Sequence, residues 1–191
     1  MSEAYEGAGG AAAAPTFDAV DFYISQWAKE RPGMDVSPMA IIGRVSRLAV
    51  ELQARLDRVF ADFGLQSWEF DVMATLVRSG QPYELTPGEL DRTMMITSGT
   101  TTHRIAKLEQ RGFVTRTRDE DDKRVVRVRL TDAGLAVFDE AHVAHMDNER
   151  RILEPLADAD RTKLLDGLRA LSGALGGASS VQHAHLRNAD N

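Results

Sequence analysis

The stretch TSGTTTHRIAKLEQRGFV, from Thr97 to Val114, sets hydroxyls and cations at helical spacing, which is the chemistry of anion recognition. At 100° per residue, Thr101, Ile105, Leu108 and Gly112 share one narrow face, and Ile105 with Leu108 must anchor the helix to a core. Thr100, His103, Lys107 and Arg111 fall on a second face with Arg104 at its edge, so this face offers donors to an anion. Thr97 or Ser98 at the helix start leaves backbone N–H groups and the positive dipole end free for a phosphate. Between Ser98 and Arg129 nine cations stand against five anions, a local charge of +4 in a chain of net charge -6, so the remainder carries -10. Attraction to a polyanion follows the local field rather than the total.

The elements around this stretch must hold it in place. Residues 1–16 are rich in Ala and Gly with little to bury and are expected to form a disordered tail. Val20, Tyr23, Ile24 and Trp27 recur at i, i+3, i+4, i+7, giving a short amphipathic helix that RPG (Arg31 to Gly33) ends. Ser37 as N-cap and Pro38 in the first turn open a long helix whose apolar stripe runs from Ile41 to Phe63 and stops at Gly64. A second helix, Ser67 to Ser79, is apolar around most of its circumference, so Asp71 stands out within it. In LTPGEL, Thr86, Pro87 and Glu89 make a capping box for a helix ending near Thr93. After Gly112 the period changes to two: Val114 to Thr117 and Val126 to Leu130 read as strands joined by the charged turn RDEDDKR. Thr131 caps a helix running to about Glu154, and Leu164, Leu168, Leu171 and Leu175 mark a last helix near Asp160 to Leu175.

A capped helix, a tight turn, a basic helix and an Arg-bearing hairpin form a winged helix-turn-helix, whose second helix enters the major groove of double-stranded DNA. The fold expected is mainly α with a small β-hairpin wing. Candidate DNA contacts are Ser98, Thr100, Thr102, His103, Arg104 and Lys107 on the helix and Arg118 on the hairpin.

From about Asp21 to Leu175 the chain resembles the MarR family of winged-helix transcription regulators, most strongly over LTPGELDRTMMITSGTTTHRIAKLEQRGFVTRTRDEDDKRVVRVRLTDAGL. The resemblance implies that Arg124 reaches the minor groove and that Asp122 holds it there. It also implies an obligate homodimer reading a pseudo-palindromic operator, usually as a repressor. The implied layout is a tail at 1–16, N-terminal helices for dimerisation and ligand at 17–64, the DNA-binding domain at 65–131, C-terminal dimerisation helices at 132–175 and a flexible tail at 176–191. The first helix and EFDVM look like the urate-responsive subgroup and its relatives. That likeness places a ligand signature on Trp27, Asp71, Arg104 and Arg116, and implies a urate- or purine-like molecule, a small carboxylic acid or a pathway metabolite as effector. Two departures stand out: Asp91, where the family usually has a small residue, and His103, at a forward position often held by Asn or Thr.

The other patterns exclude more than they suggest. Without cysteine there are no disulfides, thiolate metal sites or thiol sensors. No Gly-rich phosphate loop, nucleophile elbow or metal-protease motif appears, so neither catalytic residues nor a cofactor are expected. No apolar run approaches the roughly 20 residues of a membrane span, and no signal peptide is evident, which points to a cytoplasmic protein. His142, His145 and Glu149 leave open a metal-responsive regulator. A winged helix used only for protein contact is the remaining alternative.

Overall fold

A computed structural model describes residues 17–94, 98–119 and 122–176, with the backbone alone at 98–100. The expected tail at 1–16, Thr97 and nearly all of the expected C-terminal tail lie outside the described residues. The chain divides into two compact units, residues 1–53 and 54–191. The division falls inside a helix rather than at Gly64, because the last turns of that helix put Phe60 into the core of the second unit.

In the first unit, α1 (Ala19–Glu30) starts at Asp18, whose carboxylate accepts the Val20 and Asp21 N–H groups at 2.8 and 3.0 Å. Arg44 of α2 (Met39–Asp62) bonds Asp18 at 2.8 Å and Asp21 at 2.7 Å, which pins the start of α1 to α2. Gly43 permits that approach: a Cβ there would lie 3.3 Å from Val20, the one buried residue of α1. Tyr23 and Trp27 are exposed, as are Ile41, Ile42, Val45 and Leu48 of α2. The start of α2 differs slightly from expectation. It begins at Met39, and the Ser37 N–H is itself taken by Asp35 at 2.9 Å, a bond that holds the Asp35 carboxyl below its ordinary value.

In the second unit α2 ends on Gly64 (φ 64°), whose left-handed conformation lets the Leu65 N–H reach back to the Phe60 carbonyl. α5 (Ser98–Gln110) ends on Gly112 (φ 74°) in the same way, with Phe113 bonding back to Leu108. α3 (Ser67–Arg78) is buried along most of its length, as its all-round apolar character requires. Its Phe70 stacks between Phe60 and Phe138, the latter on α6 (Asp132–Leu153), with ring centroids 4.3 and 5.2 Å away.

The expected two-stranded hairpin is a three-stranded antiparallel sheet in the order β1-β3-β2. The strands are β1 (Glu84–Leu85), β2 (Val114–Arg118) and β3 (Val126–Leu130), with α4 (Pro87–Met94) following β1. β1 was missed because two residues carry no readable period. Register follows the pleat: Val114, Val128 and Leu130 face the core while the intervening arginines face out. Thr131 caps α6 through the Gly134 N–H at 3.0 Å, and Gly134 lies so close to the Phe113 carbonyl that a Cβ would stand 2.2 Å from its oxygen. α7 (Asp158–Ala174) buries nothing against this chain.

Candidate nucleic-acid interface and ligand site

The helix-turn-helix is set by its caps. The Thr86 N–H donates to Glu89 Oε2 at 2.7 Å, and the Glu89 N–H returns a bond of 3.3 Å to Thr86 Oγ1, which is the capping box expected from LTPGEL. On α5 the face carrying Thr101, Ile105 and Leu108 is buried, which turns Thr102, His103 and Lys107 outward. The Ser98 and Thr100 side chains lie outside the described residues. Lys107 has no ion pair among the described residues, so its charge is available to an external anion.

Arg111, grouped by its angle with His103 and Lys107, is turned onto a buried carboxylate instead, its own side chain staying 36% accessible. One Nη donates to Glu69 Oε2 at 2.6 Å and the other to the Gly64 carbonyl at 3.0 Å. Glu69 is 3% exposed, and burial of a carboxylate demands such a partner more strongly than an exposed face demands a cation. The same Glu69 oxygen accepts the Gln66 N–H, so it also caps α3. A Gln-x-x-Glu start was the available signal, overlooked because Gln is an uncommon cap.

On the wing several cations are paired with carboxylates of the same chain. Arg116 pairs with Glu109, a bond that lowers the Glu109 carboxyl below its ordinary range. Arg127 bonds Asp119 and Arg129 bonds Glu84. Arg118 is exposed, and the Arg124 side chain is 93% accessible. Asp122 Oδ1 accepts both the backbone N–H and Nε of Arg124, at 3.0 and 3.2 Å. The carboxylate thus fixes where the side chain leaves the turn while its guanidinium end stays in solvent.

Of the ligand signature, Asp71, Arg104 and Arg116 lie in the second unit and Trp27 in the first. Arg104, half-buried on α5, lies 5.7 Å from the ring of Trp68, an aromatic neighbour absent from the signature. Asp71 is exposed on α3, yet loss of hydration raises its carboxyl above the ordinary value, with Arg104, Arg78 and His145 pulling the other way. Arg116 is not among the charges acting on Asp71; its guanidinium belongs to Glu109. Trp27, in the first unit, lines a cleft of about 560 Å³ with Tyr23, Gln26, Lys29, Glu30 and Met39.

His142 stacks on Phe138 at 5.2 Å, and His145 lies against Phe60 and Phe70. His145 also approaches Glu149 at 3.4 Å, but among the described residues no three His, Asp or Glu groups converge as a metal cluster. Asp91 is half-buried, and among the described residues its enclosed Oδ1 has no hydrogen-bond partner, nor has Thr101 Oγ1.

A family model described as the MarR family matches residues 66–126, the span from the α3 cap to the first residue of β3. The HTH-type transcriptional regulator PecS of Dickeya dadantii is 41% identical over 150 residues, which cover 78% of this chain and 88% of that relative. The chain belongs to the MarR family. It is therefore a MarR-type DNA-binding transcriptional regulator, and this is not a family of enzymes. Two solved structures show the same MarR fold. A cysteine-to-serine mutant of E. coli MarR complexed with operator DNA superposes with a TM-score of 0.61 at 22% identity, covering 72% of this chain and 99% of the other. The organohalide-sensing regulator RdhR in its 2,4-dichlorophenol-bound form gives 0.65 at 17% identity, covering 76% and 84%. Among the described residues of this MarR chain no helix is long and apolar enough to cross a membrane.

Proposed function

We propose that the chain acts as a cytoplasmic homodimeric repressor that binds a pseudo-palindromic operator and is released from it by a small anionic or aromatic ligand. The observation that carries the DNA half is the exposure of the wing cations: Arg116, Arg127 and Arg129, each paired with a carboxylate, are 40%, 41% and 52% accessible, whereas the Arg124 side chain, held by Asp122, is 93% accessible. A clamped but exposed guanidinium suits the negative potential of a narrow minor groove. Lys107, His103 and Thr102 on the outer face of α5, together with Ser98 and Thr100, are the proposed major-groove and phosphate contacts. Arg118 would add a phosphate contact beside the wing.

For the dimer, the support is apolar surface left open: Ile41, Val45 and Leu48 in one unit, and Leu164, Leu165 and Leu168 in the other. For the ligand, the support is a desolvated Asp71 facing the charge of Arg104, itself set against the Trp68 ring. A planar anion could take Arg104 from these neighbours and so bias α5 between two positions. The identity with PecS agrees with placing the chain near the urate-responsive branch.

The test is a mobility-shift titration of the parent and Arg124→Ala on DNA flanking the gene, at two salt concentrations. A loss of about 1–3 kcal/mol with a steep salt slope supports the reading. Unchanged affinity in Arg124→Ala removes the wing from it, and weak, salt-independent binding by the parent favours a protein-contact role instead. Arg104→Ala, Trp27→Ala and Arg116→Ala, titrated with urate, purines and small carboxylates, test the ligand half; release equal to the parent's in all three overturns it.

A further inference from the structure

Hydrogen bonds and one longer ion pair, between Glu84 and Arg127, link β1 to the turn of the wing. Glu84, two residues before the Thr86 cap of α4, pairs with Arg129 across the ladder and accepts its Nε at 2.9 Å. The other Glu84 oxygen lies 3.7 Å from Arg127 Nε, and the same Nε donates to Asp119 Oδ2 at 2.5 Å. Asp119 directly follows β2. Its Oδ1 accepts the Asp122 N–H at 3.2 Å, and its own N–H bonds the Val125 carbonyl at 3.0 Å, closing the base of the turn. Asp122 Oδ1 in turn holds the backbone N–H and Nε of Arg124. An isolated two-stranded hairpin in water is marginal, and isolated surface ion pairs hold little. A linked set with one member only 12% exposed, as Glu84 is, holds more than its separate pairs.

The geometry points to Glu84 as a positioning residue for the wing: acting through Arg127 and Asp119, it fixes the direction in which Arg124 leaves the turn and ties that direction to the start of α4. This rests on Arg124 being the DNA contact proposed above. Simple electrostatics and this assignment give opposite signs. Removing an anion from a DNA-binding surface strengthens attraction to any duplex. Removing the anchor of the wing instead weakens binding to the operator while sparing non-specific DNA, because the misaimed arginine loses a contact that only the operator complex contains.

The experiment measures operator and non-specific affinities for Glu84→Gln, in the parent and in Arg124→Ala, on full-length protein whose thermal midpoint is recorded. Gln keeps the size and one acceptor oxygen but loses the charge shared by two guanidinium groups. The expected result is roughly a fivefold loss of operator affinity in the parent, within the range of coupling between residues of one network, and no further loss in the Arg124→Ala background. Asp119→Asn should reproduce the pattern, and it stands in if Glu84→Gln does not fold. Operator affinity that is unchanged or raised in Glu84→Gln overturns the assignment while leaving the wing reading intact. An equal loss in both backgrounds overturns it too, since Glu84 would then act by another route. If Arg124→Ala alone binds like the parent, the wing reading fails first.

Discussion

Helices α3 and α7 both lie in the second unit, yet they treat their apolar residues in opposite ways. Seven of the 12 residues of α3 are buried within this chain, whereas none of the 17 in α7 is, and Leu164, Leu165 and Leu168 remain exposed. Propensity does not separate them; Leu, Ala and Arg serve both. The difference is in what each apolar face is for. That of α3 closes the core on which α5 and the sheet rest, and that of α7 is left open in this chain, as the proposed dimer requires. Sites positioned by the first kind of helix depend on folding, and sites positioned by the second depend on assembly.

Substitutions can sharpen or break this contrast. The largest effect is expected for Leu76→Ala in α3, where a fully buried side chain is cut away: a loss of about 2–5 kcal/mol in folding stability by chemical denaturation. A loss below 1 kcal/mol would mean that α3 is not the keystone described. Leu168→Asp in α7 should leave the monomer's secondary structure unchanged by circular dichroism. It should separate the copies in sedimentation and reduce operator affinity roughly 100-fold, because linked half-site binding gains about that much. A monomeric parent would erase the contrast. Asp91→Ala in α4 removes an enclosed carboxylate oxygen that lacks a partner, and the thermal midpoint should rise with a gain of roughly 1 kcal/mol.

The smallest effect concerns Asp71, the polar exception on α3. Its carboxyl is raised in the folded protein, so between its unfolded and folded values the native state holds the extra proton. Stability from this group is therefore full below the unfolded value and is lost as pH rises through the folded one. Asp71→Asn should be relatively more stable than the parent near neutrality, and the difference should shrink as the pH falls into the carboxylate range. A difference independent of pH would contradict the desolvation described.

How much of this could be read in the residues varied with the range of the interaction. Caps and periods are local, so the Thr86–Glu89 box, the Thr131 cap and the ends of α5 and β3 stand where the pattern puts them. Partner choice is not local. Arg111 and Lys107 sit one turn apart with the same charge, and only the fold brings Glu69, 42 positions earlier, beneath one of them. Glu84 was invisible for the same reason, since β1 exists only by pairing with β3. For the ligand residues, likeness to a family places side chains on elements, but it does not reveal that Glu109 holds Arg116 or that Trp68 neighbours Arg104.

The chain has two tryptophans, Trp27 in one compact unit and Trp68 in the other. Each unit therefore carries its own optical label. A Trp27→Phe protein would leave Trp68 as the single tryptophan, 5.7 Å from the Arg104 guanidinium, so the colour of its fluorescence would report the displacement of Arg104 proposed on ligand binding.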